Sequence, residues 1–315
     1  MPTRYFIGID LGGTNIAAAL CDETGKILGR AKMKTNAPRP YQEILDDMVK
    51  CAFLSTERAD IPFYKVESVG IGCPGSINIE KGEIEYSNNL DFFNVPLVSY
   101  MEEKLGKKVY IENDANAAAW GEYLAGSGKN SDSMVLITLG TGVGGGIIEE
   151  GRLIRGAYGK GAELGHMVIV VGGEPCTCGR NGCLEAYASA TALVRQTKRA
   201  MLDNPNSDLW RVANGSLDKV NGRTAFLAKD EVAKKVVDNY LYYLSEGVVN
   251  IVNILQPKVV CIGGGISHEG EILLDPLRRA INKHSFARFS DKQTFVTLAT
   301  LRNDAGVIGA ALLGK

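Results

Sequence analysis

The sequence predicts an α/β protein, and three observations carry that prediction. Short apolar runs of strand length alternate with longer stretches of helical periodicity along the whole chain. A meander of three strands with a glycine-rich first turn occurs near the start. The same unit returns in the middle of the chain as a decayed internal duplication.

The elements follow in order. Residues 4–9 read as a buried strand leading into the turn Asp10-Leu-Gly-Gly-Thr14. Residues 16–20 and 26–33 read as two further strands, joined by a tight turn at 22–25. Residues 41–54 read as a helix, 66–72 as an apolar strand, 97–105 as a helix, 108–112 as a strand and 114–124 as an Ala-rich helix. The second meander has strands at 134–139, 146–149 and from 152 to 154, with a glycine turn at 140–145. In it, Thr138-Leu-Gly-Thr-Gly142 lies opposite the first glycine motif, and Gly151-Arg-Leu-Ile154 lies opposite Gly25-Lys-Ile-Leu28. Helices are expected at 184–201 and 231–255, the second stopping where Gln256 precedes Pro257. A strand at 259–262 runs into Gly263-Gly-Gly265, and Asp304 is expected to cap a last helix at 305–313. Residues 205–223 are polar and aperiodic and read as a surface loop.

Composition narrows the function classes. The chain has 315 residues, enough for about two domains. A net charge of -1 gives no electrostatic footprint for nucleic acid or an anionic membrane. Residues 1–10 lack the apolar core of a signal peptide, and no run of about 18 apolar residues exists, so the expectation is a cytoplasmic enzyme. Three of the seven cysteines crowd between 176 and 183, which in a reducing compartment points to a metal site rather than disulfides.

The glycine turns raise the question of which nucleotide site they form. Gly140-x-Gly142-x-x-Gly145 fits the dinucleotide fingerprint formally, but that fingerprint needs a helix directly after it, and a strand follows here. Gly126-Ser-Gly-Lys129 fails as a P-loop, because Tyr123 stands where the leading glycine belongs and Asn130 replaces the Ser or Thr. The reading that remains is a phosphate-binding β-hairpin. Backbone N–H groups at Gly12, Gly13 and Gly142 can approach phosphate oxygens, with Thr14 and Thr141 adding hydroxyls. Asp10 can hold Mg²⁺ through water. Gly264 and Gly265 can meet the nucleotide's sugar and α-phosphate. The plainer alternative is that these glycines only make tight turns.

His166, Cys176, Cys178 and Cys183 form a Cys₃His set suited to structural zinc, with Gly179 and Gly182 freeing the backbone between close ligands. The alternative is free or redox-active thiols. A zinc-bound imidazole keeps a second ring nitrogen for a hydrogen bond, which a substrate can take. Unaided, Asp114 reads first as part of a helix cap, and Glu163 and Glu185 as surface carboxylates.

These motifs together resemble the ROK family (repressors, open reading frames and kinases), specifically its bacterial glucokinase branch. The matching segments, in the family's order, are Asp10-Leu-Gly-Gly-Thr14, Gly72-Cys-Pro-Gly75, Asn88-Asn-Leu90 and Glu112-Asn-Asp-Ala-Asn116. Leu139-Gly-Thr-Gly-Val-Gly-Gly-Gly146, Glu163-Leu-Gly-His166, Cys176-Thr-Cys-Gly-Arg-Asn-Gly-Cys-Leu-Glu185 and Gly263-Gly-Gly265 continue it. The zinc segment is the specific part; the glycine turns alone are not.

The resemblance implies an actin-like ATPase (ribonuclease H-like) fold, with two lobes around a cleft and a zinc-binding segment. The smaller lobe is expected at residues 1–113, completed by 304–315, and the larger at 114–303 with the zinc segment at 166–183. It implies an ATP-dependent kinase using Mg²⁺ and structural Zn²⁺, with glucose as acceptor and glucose 6-phosphate as product. Asp114 is then the general base toward the 6-hydroxyl, and Asn89, Asn113, Asp114, Glu163, His166 and Glu185 bind the sugar. A homodimer or dimer of dimers is expected. Another hexose (N-acetylglucosamine, N-acetylmannosamine, fructose or mannose) is the first alternative. A sugar-sensing regulator is the second, opposed by Asp114 and by a first glycine motif at residue 10 that leaves no room before it for a helix-turn-helix.

Overall fold

The computed structural model describes residues 2–315; Met1, the first residue of the expected smaller lobe, lies outside the described residues. The first meander is β1 (Tyr5–Leu11), β2 (Asn15–Asp22) and β3 (Ile27–Lys34), all antiparallel. Then come α1 (Tyr41–Glu57), β4 (Val66–Cys73), the short strands β5 (Ser76–Asn78), β6 (Glu83–Ser87) and β7 (Phe92–Val95), α2 (Leu97–Leu105), β8 (Lys108–Asn113) and α3 (Asp114–Ala125). The second meander is β9 (Met134–Leu139), β10 (Val143–Glu149) and β11 (Arg152–Leu153). After it follow α4 (Glu185–Ala188), α5 (Ala190–Asp203), α6 (Asp208–Val212), α7 (Thr224–Leu227), α8 (Glu231–Leu255), β12 (Val259–Gly263), α9 (Glu271–His284), β13 (Phe295–Leu298) and α10 (Ala305–Ala311).

The duplication seen in the sequence is a duplication of topology. One sheet has the order β3-β2-β1-β4-β8 and the other β11-β10-β9-β12-β13. In each, the first strand of a meander sits centrally, and two later strands extend the sheet beside it. β1 and β4, β4 and β8, and β12 and β13 pair in parallel. The small antiparallel sheet β5-β6-β7 was not anticipated, because strands of three to five residues are too short to display a period.

The chain divides into two compact units: Met1–Leu136 with Gly146–Ala162 and Thr300–Lys315, and Ile137–Gly145 with Glu163–Ala299. In the first unit β1 shows period-two packing. Ile7, Ile9 and Leu11 join the core with Ile44, Leu45 and Met48 of α1. Phe6 faces the other way, onto Val307, Ile308 and Ala311 of α10. On that face Gly8 and Gly70 let the helix backbone lie directly on the strands, since a Cβ at either would come 1.8 Å from the Val307 or Ala310 carbonyl oxygen. α3 crosses α10 equally closely, with the Cβ position of Gly309 only 1.7 Å from the Ala117 oxygen. The expected lobe border between residues 113 and 114 therefore falls inside the first unit, where α10 binds α3 to the sheet.

Three local expectations need correction. The helix expected at 184–201 breaks at Ser189, which turns extended (ψ 163°) and accepts the Ala192 N–H at 3.0 Å as the cap of α5. The expected loop at 205–223 holds α6, whose Leu209 is fully buried. Asp304 does not cap α10; both its oxygens are taken by the Arg30 guanidinium, at 2.5 and 2.7 Å. Among the described residues no helix is long and apolar enough to cross a membrane.

Candidate active site

The sequence-predicted residues fall into two groups, one in each compact unit. In the first unit, Asp10 is the last residue but one of β1 and pairs across the ladder with Gly72 of β4. Gly72 in turn lies against the Asp114 backbone, its Cβ position 3.8 Å from the Asp114 Cα. β1, β4 and the start of α3 therefore bring Asp10 and Asp114 together. The turn after β1 closes with the Gly12 N–H donating to the Asn15 carbonyl at 2.9 Å, and leaves Gly13 and Thr14 exposed. Gly13 packs on Asn89, with its Cβ position 3.3 Å from the Asn89 Cβ, so the phosphate-sized turn and a predicted sugar ligand are neighbours.

Asn113 is the N-cap of α3, its Oδ1 accepting from the Ala115 and Asn116 N–H groups at 2.9 and 3.3 Å. Asp114 is the first residue inside the helix, where its Oδ1 also accepts the Ala115 N–H, at 2.9 Å. The Asp114 carboxylate is reachable from solvent yet crowded by surrounding protein. Poor hydration raises its pKa above the ordinary aspartate value, and the backbone N–H bonds only partly offset that. Asp10 is pushed up to about 6, first by burial and then by the negative charge of Asp114. Two carboxylates that repel each other beside an exposed glycine turn suit a divalent cation, whose charge would relieve both.

Glu112 was quoted in a motif but given no role from the sequence. Its buried carboxylate accepts the Asn113 N–H at 3.0 Å and the Asn116 side chain at 3.1 Å, and pairs with Arg155 at 2.5 Å. The available signal was a carboxylate closing the otherwise apolar end of a strand.

In the second unit, the turn between β9 and β10 is followed by a strand, as expected for a hairpin and not for a dinucleotide fingerprint. The Gly140 N–H donates to the Gly142 carbonyl at 3.0 Å, and the Thr191 hydroxyl holds the Thr141 carbonyl at 2.8 Å. Glu185 opens α4 and accepts the Val143 N–H at 3.0 Å. A Cβ on Gly142 would strike that carboxylate, at 2.2 Å. Gly264 and Gly265 connect β12 to a 3₁₀ turn. Glu163 precedes the 3₁₀ turn that carries His166.

The ligand atoms of His166, Cys176, Cys178 and Cys183 all lie within 4.8 Å of one another. Cys176 Sγ is 3.6 Å from His166 Nδ1, and Cys178 Sγ is 3.7 Å from Cys183 Sγ. A tetrahedron with Zn–S bonds of about 2.3 Å has S···S edges of roughly 3.8 Å, so the donor set fits zinc in chemistry and spacing. The knuckle is shaped by the Cys176 N–H donating to the Arg180 carbonyl at 2.8 Å, and by Gly182 at φ 84°. His166 offers Nδ1 to the cluster, leaving Nε2 for another partner. Glu185 touches the same cluster, its Oε1 lying 3.8 Å from Cys176 Sγ and accepting from the Thr177 hydroxyl at 3.3 Å.

Known proteins resemble this chain over nearly its whole length. A glucokinase from Thermotoga maritima is 38% identical over 319 residues, covering 100% of this chain and 98% of its own. The solved structure of a ROK family glucokinase from Streptomyces griseus, in complex with glucose and AMPPNP, is 37% identical, covers 98% of both chains and superposes with a TM-score of 0.81. A xylose repressor from Caldicellulosiruptor bescii is 33% identical over 96% of this chain and 76% of the repressor. The ROK family pattern itself matches residues 6–315. With its paired glycine hairpins, its carboxylate at the start of α3 and its His–Cys knuckle, the chain belongs to the ROK family, and its fold is that of the family's sugar kinases.

Proposed function

We propose that the protein is a glucokinase, transferring the γ-phosphoryl group of Mg·ATP to O6 of glucose to give glucose 6-phosphate and ADP. The observation that carries this is the placement of Asp114. It is a poorly hydrated carboxylate on a rigid helix N-terminus, beside Asp10 and close to a turn of exposed backbone. Full-length similarity to glucokinases supports the choice of sugar.

A sugar hydroxyl becomes a competent nucleophile only as its proton leaves. Asp114 accepts that proton as O6 attacks the γ-phosphorus and the bond to the ADP oxygen breaks. A raised pKa makes Asp114 a better base than an ordinary aspartate. Asn89, Asn113, Glu163, His166 and Glu185 present donors and acceptors to the sugar hydroxyls. Gly12, Gly13, Thr14, Thr141 and Gly142 hold phosphate oxygens, and Gly264 and Gly265 lie along the nucleotide's sugar and α-phosphate. Mg²⁺, when bound, would neutralise charge on the phosphates, and Asp10 would hold it through water.

The same reading includes an actin-like fold, structural Zn²⁺ on His166, Cys176, Cys178 and Cys183, a homodimer or dimer of dimers, and a cytoplasmic location. The test is a coupled ADP-release assay with Mg·ATP over glucose, mannose, fructose, N-acetylglucosamine and N-acetylmannosamine. Glucose with the highest kcat/KM upholds the proposal. A different best sugar replaces the specificity and keeps the kinase. No turnover in zinc-replete protein favours a sugar-sensing regulator, the role suggested by the likeness to a xylose repressor.

A further inference from the structure

Thr35 follows the last residue of β3 and is fully buried, yet its polar groups all point at the first glycine turn or its support. Its hydroxyl donates to the Gly12 carbonyl at 2.6 Å. Its N–H donates to the Thr14 carbonyl at 3.0 Å, one step beyond the β2–β3 ladder. Its own carbonyl accepts from Arg39 Nε at 2.8 Å, and the same guanidinium bonds Asp47 of α1 at 2.6 Å. The turn is thus tied through Thr35 and Arg39 to a helix of the core.

The peptide plane gives this tie a consequence. In a trans peptide the carbonyl of one residue and the N–H of the next point in opposite directions. The peptide joining Gly12 to Gly13 is trans. With the Gly12 carbonyl held on the Thr35 hydroxyl, the Gly13 N–H must point away from that hydroxyl, and both Gly13 and Thr14 are exposed. The neighbouring glycines cannot set this direction themselves, because glycine backbone is the freest in the chain.

We propose that Thr35 is a positioning residue for phosphoryl transfer, fixing the peptide plane whose N–H meets a phosphate oxygen of the nucleotide. The inference rests on the proposed phosphate role of the Gly12–Thr14 turn. An N–H already aimed at its anion costs no reorganisation when charge builds up during transfer.

The test compares Thr35→Val, which deletes the hydroxyl at nearly constant shape, with Thr35→Ser, which restores it, in the full-length zinc-loaded protein. Thr35→Val is expected to lower kcat/KM for Mg·ATP by about five- to tenfold, the effect of one hydrogen bond to a preorganised donor, with KM for glucose changing less than about twofold. Thr35→Ser is expected to return kcat/KM to within about twofold of the parent. Should Thr35→Val fail to fold, Thr35→Ala makes the same deletion with less volume and is read the same way. Gly13→Ala, assayed in parallel, probes the turn directly. If Gly13→Ala impairs use of Mg·ATP and the hydroxyl deletion lowers only thermal stability, Thr35 is a structural residue and the inference falls alone. If neither variant alters any Mg·ATP parameter, the phosphate role of the turn falls and the inference with it.

Discussion

Arg155 reaches the buried carboxylate of Glu112 with its Nε 2.5 Å from Oε2, while the other carboxylate oxygen holds the Asn113 N–H and the Asn116 amide. One ion pair therefore fastens the segment after β11 to the residue just before the N-cap of α3. Glu112 is almost wholly buried, whereas Arg155 is 38% exposed, so most of the desolvation burden falls on the carboxylate.

Arg155→Met should leave that carboxylate without its counter-charge. The expected loss of stability is on the order of 1–3 kcal/mol, below the value for a fully buried pair because water still reaches the guanidinium. The double variant Glu112→Gln with Arg155→Met should recover part of the loss, since a neutral amide can still accept the Asn113 N–H. Chemical denaturation of the two single variants and the double variant closes the cycle; strict additivity would show that the two residues do not couple.

Asp114→Asn removes the proposed base but retains the shape and an oxygen for the Ala115 N–H. kcat should fall by about 10² or more, with the dissociation constant for glucose changing far less. Steady-state kinetics paired with calorimetry separates the two effects, and near-normal turnover would remove Asp114 from the mechanism.

Asp10 supplies a pH prediction for the nucleotide-free protein. Its carboxyl titrates near 6 in the folded protein, against a reference value of 3.8. The folded state therefore binds this proton more tightly than the unfolded chain. No penalty exists below about pH 4; it grows between about 4 and 6 and is complete above 6, at a size on the order of 1–3 kcal/mol. Asp10→Asn should thus raise the melting temperature at about pH 7.5, with the gain shrinking toward zero at about pH 4.5. The same variant should use Mg·ATP poorly. A melting-temperature gain that does not vary with pH would show that ionisation of Asp10 is not the cause.

Zinc removal should weaken sugar binding before it unfolds the protein, because Glu185 touches the cysteine cluster and His166 is both donor to it and proposed sugar ligand. Metal analysis should find about one zinc per chain. Chelation followed by glucose titration at a temperature where circular dichroism remains native would check the order of events. Unchanged glucose affinity in protein shown to be zinc-free would break the link.

The secondary structure was legible where period and punctuation agree. α2 and α8 begin and end where the sequence places them, and β9 likewise. Legibility failed where a side chain had two possible partners. Ser189 in a helical pattern can cap or continue, and it caps because its hydroxyl finds the Ala192 N–H. Asp304 before α10 has the composition of a cap, but Arg30, 274 positions away along the chain, takes both its oxygens.

The sequence by itself determined the repeated glycine hairpins and the Cys₃His set, because each depends on residue type at short spacing. The tertiary structure alone decided which charges share an environment. Asp10 and Asp114 sense each other only because β4 seats Gly72 between them, and Glu112 meets Arg155 across 43 positions. It also decided that Thr35 braces a turn more than twenty residues earlier. Such pairings arise from sheet order and from backbone-to-backbone packing at Gly8, Gly70 and Gly309. Long-range contacts of this kind leave no periodic trace in the chain, since their energy depends on distance in space and not on separation in sequence.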